Sequence, residues 1–247
     1  MRRLVVPLFA IPALACQFSL AAQGAPQAPL TLEGMQITAP TEQADGPVDG
    51  YRATRSISAT RTDTPLSEIP QSISVVPAQV LQDIGATRLE DALDYAGGVE
   101  RGNNFGGQGL TEFLIRGFSS QEFYRNGFAV NRGYPNMPDA NSIERIEVLR
   151  GPAAMLYGRG DPGGTFNIVS KQPQAQRRTV LGSQINSEGL HRGTLDTTGA
   201  LDEHATFTYR LNLAAEGNDS FRDHVEGERY NVAPVLRWQL SDATAIT

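Results

Sequence analysis

In "IERIEVLRGPAAMLYGRGDPGGTFNIVSK", residues Ile143–Lys171, Gly158, Gly160 and Gly163 stand in the G-x-G-x-x-G spacing of a dinucleotide-binding loop. That fingerprint has meaning only between a strand and the helix it opens. Upstream, "IERIEVL" (Ile143–Leu149) reads as a strand, and "PAAMLYG" as a short helix with Pro152 in its first turn. Downstream comes "TFNIVSK", β-branched and without helical period, so Thr165–Ser170 is a second strand and no helix N-terminus faces a phosphate. No Lys-Ser or Lys-Thr follows the glycines, which excludes a P-loop. "GRGDPGG" is therefore a turn from helix to strand, in which glycine supplies positive φ and close backbone approach. The Arg-Gly-Asp tripeptide inside it (Arg159–Asp161) carries no further reading.

Around this unit lies a small α+β domain from about Thr60 to Lys171. "QSISVVP" (Gln71–Pro77) is a β-branched strand, and "AQVLQDIG" (Ala78–Gly85) a helix stopped by Gly85. Thr87 with Glu90 three residues later predicts a capping box for a helix over Arg88–Ala96, closed by Gly97-Gly98. "EFLIRGF" (Glu112–Phe118) reads as one more strand. Asn126-Gly127 between apolar flanks predicts a hairpin. Residues Gln23 to about Arg55, rich in Ala, Pro, Gly and Thr, read as linker; within them "LEGMQITA" (Leu32–Ala39) could add as a strand to a partner's sheet edge.

After Pro173 the period becomes two. Phe207, Tyr209, Leu211 and Leu213 oppose Thr206, Thr208, Arg210 and Asn212, and Tyr230, Val232, Pro234, Leu236, Trp238 and Leu240 oppose Asn231, Ala233, Val235, Arg237 and Gln239. Two weaker runs lie near Thr179–Asn186 and Arg192–Leu201. Long alternating strands suit a transmembrane β-barrel or a soluble sandwich. The polar, Arg-bearing face and the export signal described next favour the barrel. Four strands cannot close one, and a fifth begins at "ATAIT", so the pattern predicts the N-terminal part of something larger.

Bulk properties agree with an exported, turn-rich protein. In 247 residues there are 25 glycines and 15 prolines, and the net charge of -6 comes without a basic stripe, which disfavours nucleic acid. Arg2 and Arg3 precede the apolar run "LVVPLFAIPALACQFSL" and the small residues "AAQGA", the layout of a cleaved signal peptide. Two prolines interrupt that run, against a membrane anchor. The only cysteine, Cys16, lies inside the signal, in a poor lipobox. His191, His204 and His224 lack metal-ligand spacing, and neither G-x-S-x-G nor another catalytic set is present, so the chain does not read as an enzyme.

"IERIEVLRGPAAMLYGRGDPGGTFNIVSKQP" (Ile143–Pro173) resembles the plug-domain signature of TonB-dependent outer-membrane receptors, particularly those for ferric siderophores. "TDTPLSEIPQSISVVPAQVLQD" (Thr62–Asp83), "RLEDALDYAGGV" (Arg88–Val99) and "FLIRGFSS" (Phe113–Ser120) match the rest of the plug in order. The resemblance implies a signal peptide over 1–24, a linker over 25–59, a plug over 60–173, and from 174 the first strands of a barrel of about 22. It places a TonB box at Glu33, Gly34, Met35, Gln36, Ile37, Thr38 and Ala39. It implies ligand contacts at the plug apex from Arg116, Asn131, Arg132, Gly133 and Tyr134, cationic and aromatic groups suited to an anionic or aromatic chelate. Glu147 and Arg150 would brace the plug against barrel charges, with Gly151, Gly158, Gly163 and Gly164 as structural positions. The implied partners are TonB, outer-membrane lipid and a ferric siderophore that keeps its iron inside the chelator, with no metal held by the protein. A haem or cobalamin-like ligand, a soluble plug-like binding domain and a truncated product are the alternatives.

Overall fold

The computed structural model describes residues 42–102, 112–120, 123–130, 138–151, 154–157, 161–187, 189–219, 226–241 and 244–247. Short strands β1 (Arg55–Ser56) and β2 (Thr64–Pro65) pair antiparallel. There follow β3 (Ser72–Pro77), α1 (Ala78–Asp83), α2 (Leu89–Leu93), β4 (Val99–Arg101), β5 (Phe113–Ile115), β6 (Phe118–Ser120), β7 (Phe123–Arg125), β8 (Phe128–Ala129), β9 (Ile143–Arg150), α3 (Ala154–Tyr157) and β10 (Gly164–Ser170). The main sheet of this half has the order β3-β9-β10-β7-β8, and β4-β5-β6 form a second. Among the described strands, only the β10–β7 pair is parallel.

Two details differ from the sequence reading. "FLIRGF" is a hairpin rather than one strand: Arg116 and Gly117 both have positive φ (53° and 81°), the backbone of a two-residue I′ loop. The same geometry at Asn126-Gly127 (50° and 81°) closes the β7–β8 hairpin. The second helix covers five residues, and the acid at its start is Asp91, whose carboxylate accepts from the Thr87 and Arg88 amides. The cap therefore sits one residue later than the Thr87–Glu90 pattern implies. Arg101 spans Asp91 and Asp94, so these acids are ion-paired.

The apolar core lies between the main sheet and the helices. Ile146, Val148, Phe166 and Ile168 meet Leu81, Leu89 and Leu93 there. Phe166 stacks on Phe123 at 5.2 Å between centroids and meets Phe113 edge-on at 5.4 Å. A smaller cluster of Ala59, Ile69, Tyr124, Leu149 and Tyr157 forms a second core. Residues 42–58, part of the compositional linker, pack rather than trail: Ala44, Ser56 and Ser58 are buried. Burying a few small side chains and polar groups in this way leaves no hydrophobic signature in a sequence window.

The remaining strands, β11 (Arg178–Ile185), β12 (His191–Ala200), β13 (Phe207–Asp219), β14 (Glu226–Ser241) and β15 (Thr244–Ile246), form one antiparallel sheet in sequence order. On β13, Thr208, Arg210, Asn212 and Glu216 are buried. On β14, Tyr230, Val232, Leu236, Trp238 and Leu240 are exposed. A sandwich buries its apolar face. This sheet buries its polar face and exposes the apolar one, which is the arrangement of a lipid-facing barrel wall. No described helix is long and apolar enough to cross a membrane.

Gly163 and Gly164 join the two halves of the β9–β10 hairpin where the chain runs against its neighbours. A Cβ on Gly163 would collide with the Ile115 carbonyl oxygen, and one on Gly164 with that of Leu149, while Gly164 also holds φ +136°. Gly193 on β12 has nothing within 4 Å of its Cβ position. Gly163→Ala should therefore cost about 2–4 kcal/mol in thermal unfolding of the detergent-solubilised protein, and Gly193→Ala less than about 0.5 kcal/mol.

Candidate functional site

Strand β9 sets the geometry of the site. Every residue from Ile143 to Leu149 is buried, although three of them are Glu144, Arg145 and Glu147. A strand buried on both faces reads as a continuous apolar run, so each of these charges requires a partner.

Arg145 finds its partners in the chain N-terminal to the sheet. Its Nη1 donates to Glu42 Oε1 (3.1 Å) and the Arg55 carbonyl (3.2 Å), and its Nη2 to the carbonyls of Gln43 (2.8 Å) and Gly46. The other Glu42 oxygen accepts from the Thr54 amide and hydroxyl. Glu147 was expected to brace against the barrel; its partners are instead Ser56 Oγ (2.7 Å) and the Ser58 amide (3.0 Å). Burial holds its carboxyl above the ordinary carboxylate range, against the lowering effect of those hydrogen bonds. Arg150 likewise turns inward, donating to the Gly97 carbonyl and to Ser72 and Ser74. Burial, and then the nearby Arg116 guanidinium, pull the Arg150 pKa down.

Contact with the alternating sheet is made by residues that the sequence reading did not single out. Asp139 takes both Nη atoms of Arg192, whose Nη1 also reaches Glu216 at 2.8 Å. Arg229 reaches the same Glu216 at 2.9 Å and Asp139 at 3.4 Å. A second cluster joins Asp196 to Lys171 (2.9 Å) and Arg210 (2.8 Å), with Glu144 at 3.7 Å from Arg210. Burial raises the Glu144 carboxyl pKa, against the lowering effect of Arg210 and Lys171. Each cluster contains two carboxylates and two cations, so each is neutral. Between them, Asn141 Nδ2 donates to the carbonyls of Leu195 and Leu213, which face each other across β12 and β13. The signal available in the sequence was the polar face of β12–β14, which requires a complementary polar surface opposite.

A compact domain thus sits, through paired charges, on the polar inner face of an inside-out sheet. The model of the TonB-dependent receptor plug domain matches residues 65–165. The chain carries the plug domain of a TonB-dependent receptor with the first strands of its barrel. It is 52% identical over 220 residues to the metal-pseudopaline receptor CntO of Pseudomonas aeruginosa, covering 89% of this chain and 31% of that protein. It is 34% identical to the ferrichrome outer membrane transporter/phage receptor of Escherichia coli K12, covering 85% of this chain and 29% of the relative. The solved outer-membrane ferripyoverdine receptor of P. aeruginosa superposes with a TM-score of 0.71 at 28% identity, over 77% of this chain and 26% of that one. The chain therefore spans about a third of the length of the curated relatives it matches.

Of the expected ligand contacts, Arg116 lies at the tip of the β5–β6 hairpin, with its Nη1 near Gly151 and close to Arg150. Asn131, Arg132, Gly133 and Tyr134, the TonB-box positions Glu33–Ala39 and Gly158 fall outside the described residues. Gly151 holds φ +94° where β9 ends.

Two outcomes test this charge layer. Arg192→Leu strands Asp139 and Glu216 with one partial counter-ion and should cost about 3–5 kcal/mol in thermal unfolding. For Glu147 the folded pKa lies above the unfolded one, so its contribution to stability is full below the ordinary carboxylate value and is lost as pH rises through the raised value. Glu147→Gln should therefore shrink the fall in melting temperature as pH rises above the ordinary carboxylate range.

Proposed function

We propose that this chain forms the N-terminal part of an outer-membrane receptor that takes up a metal–chelator complex with energy supplied through TonB. The observation that carries the reading is the plug seated by neutral ion-pair clusters on a sheet whose apolar face points outward. Such a wall suits lipid, and a plug against it suits gated passage of a ligand too large for open diffusion. Residues 1–24 direct export, 60–173 form the plug, and the barrel begins at 174. Glu33–Ala39 serve as the TonB box, engaged by strand addition. Arg116 and the Asn131–Tyr134 loop meet the chelate.

A ferric siderophore is the cargo that the sequence resemblance implies. The 52% identical relative, named a metal-pseudopaline receptor, widens this to metal chelates in general and makes metal-pseudopaline the first ligand to try. The relatives are transport receptors, in keeping with a non-enzymatic role.

The test is metal uptake by cells carrying or lacking the intact gene, supplied with labelled metal-pseudopaline, ferrichrome or ferrioxamine. Uptake of one chelate that disappears both on deletion and in Ile37→Pro is expected. Equal uptake with and without the gene, for every chelate supplied, would overturn the reading.

A further inference from the structure

We infer that Arg145 is a releasable clasp for residues 42–46, while the charged clusters on its flanks keep the body of the plug docked. The inference rests on the proposed receptor role, because it concerns how a pull on the segment before residue 42 enters the fold.

The Arg145 side chain is fully buried, and its formal counter-charge is Glu42. Its other acceptors are main-chain carbonyls of Gln43, Gly46 and Arg55, so three of the four, Glu42 included, lie on the five-residue strap. Arg145 Nε has no acceptor. The guanidinium is thus dry only while the strap covers it. When the strap lifts, water replaces the carbonyls, and arginine, charged at all working pH values, exchanges one set of acceptors for another. An apolar contact of the same area has no such substitute. That exchange makes the strap a two-state element.

The preceding residue in the chain faces the other way. Glu144 approaches Arg210 of the barrel sheet, and Asp139, five residues earlier, holds Arg192. The main sheet also pins β9 between β3 and β10 over six and seven residue pairs. Among the described residues no hydrogen bond or ion pair joins the strap to the sheet wall, and a cavity of about 210 Å³ bordered by Asp45, Pro47, Glu144, Gln172 and Arg237 lies between them. Tension on the chain before residue 42 therefore meets Glu42, held by Arg145 and by the Thr54 amide and hydroxyl, and can lift the strap while β9 stays in place.

The test uses thiol labelling of the protein in isolated outer membranes, where a cysteine at a buried position reacts only when that position opens. Ala44→Cys reports the strap and Ala140→Cys the plug body, both buried, against a parent with the single cysteine Cys16. Adding Arg145→Met should speed labelling at position 44 by about tenfold or more, with position 140 unchanged. Glu42→Gln, which leaves the plug's own side chains intact, should give a smaller rise at position 44. Unchanged labelling at 44 in both backgrounds would overturn the clasp. So would parallel acceleration at 140, since Arg145 would then hold up the whole plug. Neither readout needs a chelate or TonB, so failure here is distinct from failure of uptake.

Discussion

Charge inside a buried strand must be neutralised locally, and β9 imposes that condition on everything around it. Glu144, Arg145 and Glu147 lie within a run of seven buried residues. Desolvating one ion costs several kcal/mol even after relaxation, so each can persist only beside a built partner. The partners come from three directions: the barrel sheet for Glu144, the N-terminal strap for Arg145, and the Ser56–Ser58 turn for Glu147. The strand thereby ties together segments far apart in sequence.

Paired charges carry the contact between the plug and the wall beside it. The inner face of β12–β14 is polar, and the joint to the plug includes two neutral clusters, the Asn141 bridge and hydrogen bonds from Gln184 and Arg229 to the Gly85 and Thr87 carbonyls. Such a joint is specific in register, because each guanidinium has a fixed fork of donors. It is also one that water can enter and replace, unlike an apolar seam.

Legibility in the sequence followed the range of the signal. Asn126-Gly127 announced its hairpin because asparagine tolerates positive φ. Arg116-Gly117 has the same backbone but reads as strand, because arginine carries no such signal. The Thr87–Glu90 pattern found the right helix with the wrong capping acid, since Asp91 reaches the same amides from the next position. The resemblance has Glu147 and Arg150 brace the plug against barrel charges, whereas the hydrogen-bond partners the structure gives them lie in their own half. Ser56, Ser58, Ser72 and Ser74 are ordinary residues in a sequence, and nothing local marks them as acceptors or donors for a strand some 75 to 90 positions away.

The sequence by itself determined the elements and their period: short mixed strands and helices to Ser170, then long alternating strands with one apolar and one polar face. Those properties follow from local backbone preference and side-chain alternation, which a linear string records. Only the tertiary structure decided which face of the alternating sheet is covered, that residues 42–58 pack, and which charges meet. Alternation is the same for a wall facing lipid and a sheet facing a core, and a counter-ion is defined by distance in space rather than by position along the chain.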